Sequence, residues 1–395
     1  MEACGQQHAG LLNEVADTPA FNISCPTAVR FGLGRATEVA TLLPDTPVHV
    51  VFVQGASGRA AAPVLSALRS AGHDITIVSC LNEPSIDSIN AALSGLIDVS
   101  HVIACGGGAV LDMGKALAAL LEMGLTLPDD FAALPPLVER TKISLIAMPT
   151  TAGTGAEVTA NVVIDVPAKR AKISIRGPGL IPDVAIIDPA LAQSAPPLVA
   201  LQSGLDAVTQ VIESYTSNAA TPFSSALCRP AIGLGLRALR SIIEDNNISA
   251  WQNMCWVSLS SGMALANSGL GAAHGLASVL GGQLGAPHGA LCGRLLIPTL
   301  RMNHQRSVSE QIVHARITEC LTDICAVFPP SRPSDLLSGF EDWTEAHALP
   351  RLSDFGMRAD QISGLAARGQ NASSSQKNAV VLDVADYITI LQDAY

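Results

Sequence analysis

The sequence predicts an N-terminal α/β domain with a Rossmann-like parallel sheet, followed by a C-terminal helical domain. Three observations carry this. Across residues 48–188 short β-branched runs alternate with Ala/Leu-rich stretches of helical spacing, the pattern of a parallel sheet covered by helices. Beyond Pro189 long helical patterns follow one another with no convincing strand between them. The chain has 395 residues, 48% hydrophobic and 14% charged, which is too apolar for disorder and long enough for two or three domains.

Taken in order, residues 1–20 read as a flexible leader: acid appears early, and the basic and apolar regions of an export signal are missing, which places the protein in the cytoplasm. Strands are predicted over 48–53, 75–78, 101–105 and 144–148, with helices over 60–71 and 86–96 between them. Pro196 and Pro197 mark the boundary between an α/β dinucleotide-binding domain at 21–195 and a helical metal and substrate domain at 196–395. Helices are predicted over 204–216 and 223–246. Residues 246–293 carry no Lys, Arg, Asp or Glu, but polar residues interrupt any run of about 18 apolar positions. They read as buried helices passing beneath a site, not as a membrane span. The polar segment 369–376 reads as a surface loop.

Net charge is −11 and the basic residues are scattered, so the footprint of a nucleic-acid surface is missing. The nine cysteines are odd in number and form no C-x-x-C pair, and most sit in apolar runs. They read as small buried hydrophobes in a reducing compartment.

Two turns carry chemistry at the predicted sheet edge. Cys105 ends a strand, and Gly106-Gly107-Gly108-Ala109 opens a helix, baring backbone N–H groups suited to a pyrophosphate. It is not the G-x-G-x-x-G fingerprint. The strand ending at Met148 leads into Pro149-Thr150-Thr151-Ala152-Gly153-Thr154-Gly155, a second polar turn on the same edge. In the helical half, Asp206 and Gln210 share one helix face at i and i+4. His274 and His288 lie in small, uncharged surroundings, and with Asp206 they make the N/N/O set of an open catalytic metal site.

These stretches resemble the iron-containing (group III) alcohol dehydrogenases, of the superfamily that also holds glycerol dehydrogenase and dehydroquinate synthase. The resemblance runs from about Phe21 to Tyr395. It rests on GGGAVLDMGKA at Gly106, PTTAGTGAEVT at Pro149, LIPDVAIIDPAL at Leu180, SGLDAVTQVIESYTS at Ser203 and GLGAAHGLASVLGGQLGAPHG at Gly269. By matching position it implies that Gly107, Gly108, Ala109 and Asp112 lie along the cofactor phosphates. It likewise implies that Thr150, Thr151, Thr154, Asn161 and Lys172 line the nicotinamide half, and that Asp206, His274 and His288 bind the metal. Gly55, ending the 48–53 strand, joins the cofactor set.

Two positions depart from the family. Gln210 stands where a fourth ligand, histidine, is usual, and a neutral amide binds metals poorly. Ser278 replaces a second histidine that lies near the substrate, so an imidazole proton relay is lost there. Two accounts of Gln210 follow. A zinc or iron ion is retained by Asp206, His274 and His288, with Gln210 as a weak fourth donor, much as glycerol dehydrogenase relies on an aspartate and two histidines. Alternatively the metal is abandoned, as maleylacetate reductases are thought to have done, and Gln210 and His274 donate hydrogen bonds to a carbonyl oxygen.

Cofactor choice between NAD and NADP turns on Gln54-Gly55-Ala56-Ser57-Gly58-Arg59, which has no carboxylate to repel a 2′-phosphate and offers Arg59 to one. The reading is an NAD(P)-dependent oxidoreductase interconverting a small alcohol with an aldehyde or ketone, metal-assisted through Asp206, His274 and His288, with Ser278 near the proton path. A homodimer is expected. The rivals are a metal-independent keto-acid reductase, a dehydroquinate-synthase-like lyase, and a homologue that binds dinucleotide without catalysis. The lyase lacks its expected Lys/Arg cluster; Arg176 and Arg294 read equally as partners for a substrate carboxylate or as solvated or paired surface groups, and neither names an acid substrate.

Overall fold

The structure, a computed structural model, describes residues 20–26, 28–169, 171–245 and 247–395. Apart from Ala20, the expected leader lies outside the described residues. A six-stranded parallel sheet has the order β1-β8-β5-β4-β2-β3, formed by β1 (Ala28–Phe31), β2 (His49–Gly55), β3 (Asp74–Cys80), β4 (Val99–Gly106), β5 (Ser144–Pro149) and β8 (Val184–Ile187). Val51 and Val53 face one side of the sheet and Val50 and Phe52 the other, all fully buried, as expected where helices cover both faces. The crossover helices are α1 (Ala62–Ser70), α2 (Ile86–Leu93) and α3 (Gly108–Met123).

Chain order reverses at β2: the chain first moves outward to β3, then crosses back to β4 on the other side. Ligands of open α/β sheets bind in the crevice at that reversal, outside the strands' carboxyl ends. Cα partners Gln54 and Cys105, and Gly106 and Pro149, set the ends of β2, β4 and β5 side by side there.

An antiparallel hairpin of β6 (Asn161–Val166) and β7 (Ala171–Arg176) was not among the expected strands. The sequence shows its alternation only weakly, because the polar face is turned into a cavity instead of solvent. Val162, Ile164 and Val166 are buried against α3, while Asn161 and Val163 face the other way.

The second half is helical: α4 (Pro189–Ala192), α5 (Pro197–Thr216), α6 (Pro222–Asp245), α7 (Ile248–Ser268), α8 (Ala272–Leu284), α9 (His288–Arg306), α10 (Gln311–Val327), α11 (Ser338–Ala346), α12 (Ile362–Gln370) and α13 (Val384–Ala394). Pro197 opens α5 at its first position, where the missing N–H costs nothing. The uncharged stretch becomes α7, α8 and the start of α9, which are largely buried. No helix among the described residues is long and apolar enough to cross a membrane.

Segment 369–376 closes α12 and then runs along the surface, with Asn371, Ser373 and Gln376 exposed; Ser375 departs from the expected loop, buried against α8, where Gly275 leaves room for its hydroxyl. That hydroxyl donates to the Gly369 carbonyl at 2.6 Å. Hydroxyl side chains look solvent-facing in a sequence, and here backbone carbonyls satisfy one of them inside.

Candidate functional site

One wall of a cleft between the sheet edge and the helical half is built from the glycine turn. Gly107 and Gly108 precede and open α3, so the first-turn N–H groups lack partners within the helix and point out of its positive end. A Cβ on Gly107 would sit 3.6 Å from the Thr151 side chain, and one on Gly108 would sit 3.1 Å from Thr154. The two turns therefore interlock, and the Thr150 N–H donates to the Gly106 carbonyl at 2.9 Å. Gly55, at the end of β2, adjoins them with Val110 3.8 Å from the position its Cβ would take. Gly108, Ala109, Asp112 and Thr154 line the cavity.

Asp112 is also structural. Its Oδ2 accepts the Val163 N–H at 2.9 Å, tying α3 to β6, and its Oδ1 is 3.7 Å from the Lys115 ammonium. Lys115 is fully buried and donates to the Ala156 carbonyl and the Thr159 hydroxyl, both at 3.0 Å, which pins the second turn. Burial lowers the Lys115 pKa against the pull of Asp112 and Glu157. It pushes Asp112 up to about 6 and Glu157 up to about 7. Glu157 leaves one buried carboxyl oxygen without a hydrogen-bond partner.

The hairpin makes a second wall. Its pairs Asn161 with Arg176, Val163 with Ser174 and Asp165 with Lys172 put alternate residues on one face, and Asn161, Lys172, Ser174 and Arg176 reach the cavity. Lys172 is held by Glu83 at 3.0 Å, a carboxylate the sequence reading did not single out.

Helices α5, α8 and α9 supply the third wall. A Cβ on Gly289 would overlap the Gln202 carbonyl, and one on Gly293 would lie 2.7 Å from Leu205, so these glycines let α9 pack directly on α5. That approach sets His288 beside Asp206. Asp206 Oδ1 is 3.2 Å from His274 Nε2 and 3.9 Å from His288 Nε2. Cys292, one turn beyond His288, places its Sγ 3.5 Å from His288 Nε2. The ligating atoms of Asp206, His274, His288 and Cys292 all lie within 4.8 Å of one another, and His274 and His288 line the same cavity as Gly108.

Glu213, on the same face of α5 as Asp206 and Gln210, orients the centre. Its carboxylate accepts the Gly271 and Ala273 N–H groups at 3.0 and 2.7 Å, satisfying the buried start of α8, and lies 2.6 Å from His274 Nδ1. Sequence reading missed both Glu213 and Cys292. The i, i+4, i+7 spacing from Asp206 was the signal for Glu213, and the i+4 spacing from His288 was the signal for Cys292.

Burial opposes the charge on Asp206, yet His288 and His274 outweigh it and hold the carboxyl below the ordinary aspartate value. Burial likewise opposes protonation of His274, but Cys292, Asp206 and Glu213 raise it well above the usual imidazole value. For His288, burial wins, with His274 and Lys172 adding to it, and its pKa is lowered. Burial pushes the Cys292 thiol up to about 12. A bound cation would reverse that, since a coordinating thiol is deprotonated outright. The buried Asp206 and His274 and the half-buried His288, with an adjacent sulfur, fit a divalent metal well.

Gln210 lines the cavity with its amide oxygen 2.8 Å from the Ser261 hydroxyl. Ser278 lines it too, its hydroxyl donating to the Gly275 carbonyl at 2.8 Å. Arg294 is not placed to meet a substrate: it is buried, and its guanidinium donates to the Leu349 and Pro350 carbonyls. An arginine beside small residues looked available in sequence, but the end of α11's loop consumes its donors. Arg59 is exposed on the turn after β2.

Comparison with known proteins gives the decisive observation. Residues 26–189 match the family described as iron-containing alcohol dehydrogenase, and residues 200–395 match the C-terminal part of the Fe-containing alcohol dehydrogenase family. The chain belongs to the iron-containing alcohol dehydrogenase family. It is similar to the probable alcohol dehydrogenase EutG of Salmonella typhimurium, 37% identical over 77% of this chain and 76% of that one. Alcohol dehydrogenase 4 of Saccharomyces cerevisiae is 29% identical over 92% of this chain and 96% of its own. The solved structure of an alcohol dehydrogenase from Oenococcus oeni superposes with a TM-score of 0.78 at 26% identity, covering 95% of this chain and all of that one. This family member is an alcohol dehydrogenase of a family that uses a nicotinamide dinucleotide and a metal, it carries a candidate metal site, and the predicted fold class, the parallel-sheet domain followed by the helical one, holds.

Proposed function

We propose that the chain transfers a hydride between NAD(P)(H) and a small alcohol/aldehyde or ketone pair, in the cytoplasm and as a homodimer. Residues 21–195 hold the dinucleotide and residues 196–395 the metal and substrate. The observation that carries this reading is the meeting of Asp206, His274 and His288 in the cavity that Gly108, Ala109 and Thr154 wall from the other side.

The N–H groups of Gly107, Gly108 and Ala109 cradle the pyrophosphate, with the α3 dipole favouring its charge. Gly55 lets the cofactor backbone pass close to β2. Thr150, Thr151 and Thr154 offer hydroxyls to the nicotinamide half, while Asn161 and Lys172 flank it from the hairpin; Asp112 holds the wall. Asp206, His274 and His288 hold the divalent metal, and Gln210 borders it. When bound, that ion supplies Lewis-acid polarisation of the substrate oxygen. Glu213 keeps the His274 ring turned so that Nε2 faces Asp206. Ser278, whose own proton is committed to the Gly275 carbonyl, keeps lone pairs free to accept a hydrogen bond from the substrate hydroxyl and so orient it. Leu265 and Leu270 exclude water from the reacting end.

The intact donor set favours this over metal-independent reduction of a keto acid. The test is purified protein with added zinc or ferrous ion, reading reduced-cofactor absorbance against small alcohols, aldehydes and keto acids with NAD and NADP in parallel. Turnover that needs metal supports the proposal; turnover of keto acids alone, unaffected by chelator, overturns it.

A further inference from the structure

We propose that Cys292 is a direct donor to the metal, so that this chain's ligand set is Asp206, His274, His288 and the Cys292 thiolate, with Gln210 outside it. The inference rests on the metal-assisted reading above and goes beyond it in naming the donor that fills the fourth corner.

His288 and Cys292 leave the same face of α9, one turn apart. Ligands held tetrahedrally on zinc at their usual bond lengths lie about 3.4 to 3.6 Å apart. Three edges of this cluster measure 3.2 Å for Asp206 to His274, 3.9 Å for Asp206 to His288 and 3.5 Å for His288 to Cys292. These three edges bracket the spacing that one cation imposes, the sulfur edge falls within it, and the remaining edges, all within 4.8 Å, are short enough to contract onto one ion. His274 is already oriented by Glu213, so the centre needs no rearrangement at that ligand.

Donor chemistry separates Cys292 from Gln210. The Gln210 amide oxygen is engaged by Ser261, and a neutral amide is a weak ligand for a transition metal. A thiolate is a strong one, especially for zinc. Among the described residues no other cysteine belongs to a group of side chains that could hold a metal. The substitution has two consequences. A soft donor shifts preference from iron towards zinc. A second negative ligand beside Asp206 neutralises a divalent ion, so the centre polarises a substrate oxygen less strongly than one built from an aspartate and neutral donors.

The experiment loads full-length protein with zinc or with cobalt(II). Zinc X-ray absorption of the unaltered protein is expected to show one sulfur neighbour at about 2.3 Å among nitrogen and oxygen. The cobalt form is expected to show an intense near-ultraviolet thiolate-to-metal band. Cys292→Ser is expected to lose both sulfur signals and bind zinc about 100-fold more weakly, at the upper end of the cost of removing an outer-sphere partner. Gln210→Ala is expected to keep the band. One cobalt per chain with only nitrogen and oxygen neighbours overturns the role of Cys292 and leaves the metal reading standing. No uptake of either ion overturns both. The absorption measurement on unaltered protein decides the matter even if the Cys292 variant does not fold.

Discussion

Glu213 Oε2 lies 2.6 Å from His274 Nδ1, and the other nitrogen of that ring lies 3.2 Å from Asp206 Oδ1. One carboxylate thus fixes which imidazole nitrogen faces the metal-ligating cluster, and it does so while capping the buried N-terminus of α8 through Gly271 and Ala273.

Glu213→Gln is therefore expected to weaken metal binding by about 10- to 100-fold, the usual cost of losing such a partner. The same change sets an amide N–H against the α8 donors and lowers the melting temperature. Isothermal titration with zinc and a thermal melt read the two effects separately.

Gln210 borders the cavity on the α5 face that carries Asp206 one turn earlier. Gln210→His is expected to add an imidazole at that corner and raise metal retention after dialysis against chelator, with kcat/KM rising about tenfold, or about 1.4 kcal/mol. Elemental analysis alongside initial rates checks both.

Gly289→Ala is expected to push α9 off α5, because its Cβ would overlap the Gln202 carbonyl, which is backbone and cannot swing aside. Overpacking of this kind costs about 1 to 3 kcal/mol. A denaturant midpoint reads the loss, and metal affinity falls with it because His288 moves from Asp206.

Stability is expected to fall as pH rises from about 4 to about 7. Glu157 and Asp112 have folded pKa values raised by burial to about 7 and about 6, from 4.5 and 3.8, so the folded form binds more protons than the unfolded chain across that window. Their contribution is fully present below the unfolded values and lost above the folded ones, on the order of 3 kcal/mol from each group. Urea melts at pH 5 and about pH 8 measure the slope, and Glu157→Gln is expected to flatten it.

The sequence by itself determined the parallel sheet, since fully buried strands read as β-branched runs, and it determined the glycine and threonine turns, since only small residues permit two loops to interlock there. It also supplied Asp206, His274 and His288 through motifs whose order is specific. The hairpin of β6 and β7 was not legible, because its polar face lines a cavity and so breaks the usual link between polar residues and solvent. Tertiary structure alone decided that Glu213 serves His274 across 61 positions of chain, that Arg294 spends its donors on α11's trailing loop, and that Cys292 joins the metal-ligating cluster. The physical reason is common to all three: a side chain's partner is set by how closely distant segments approach, as where Gly271 leaves room for Glu213 and Gly289 and Gly293 let α9 pack on α5, and no local pattern records that approach.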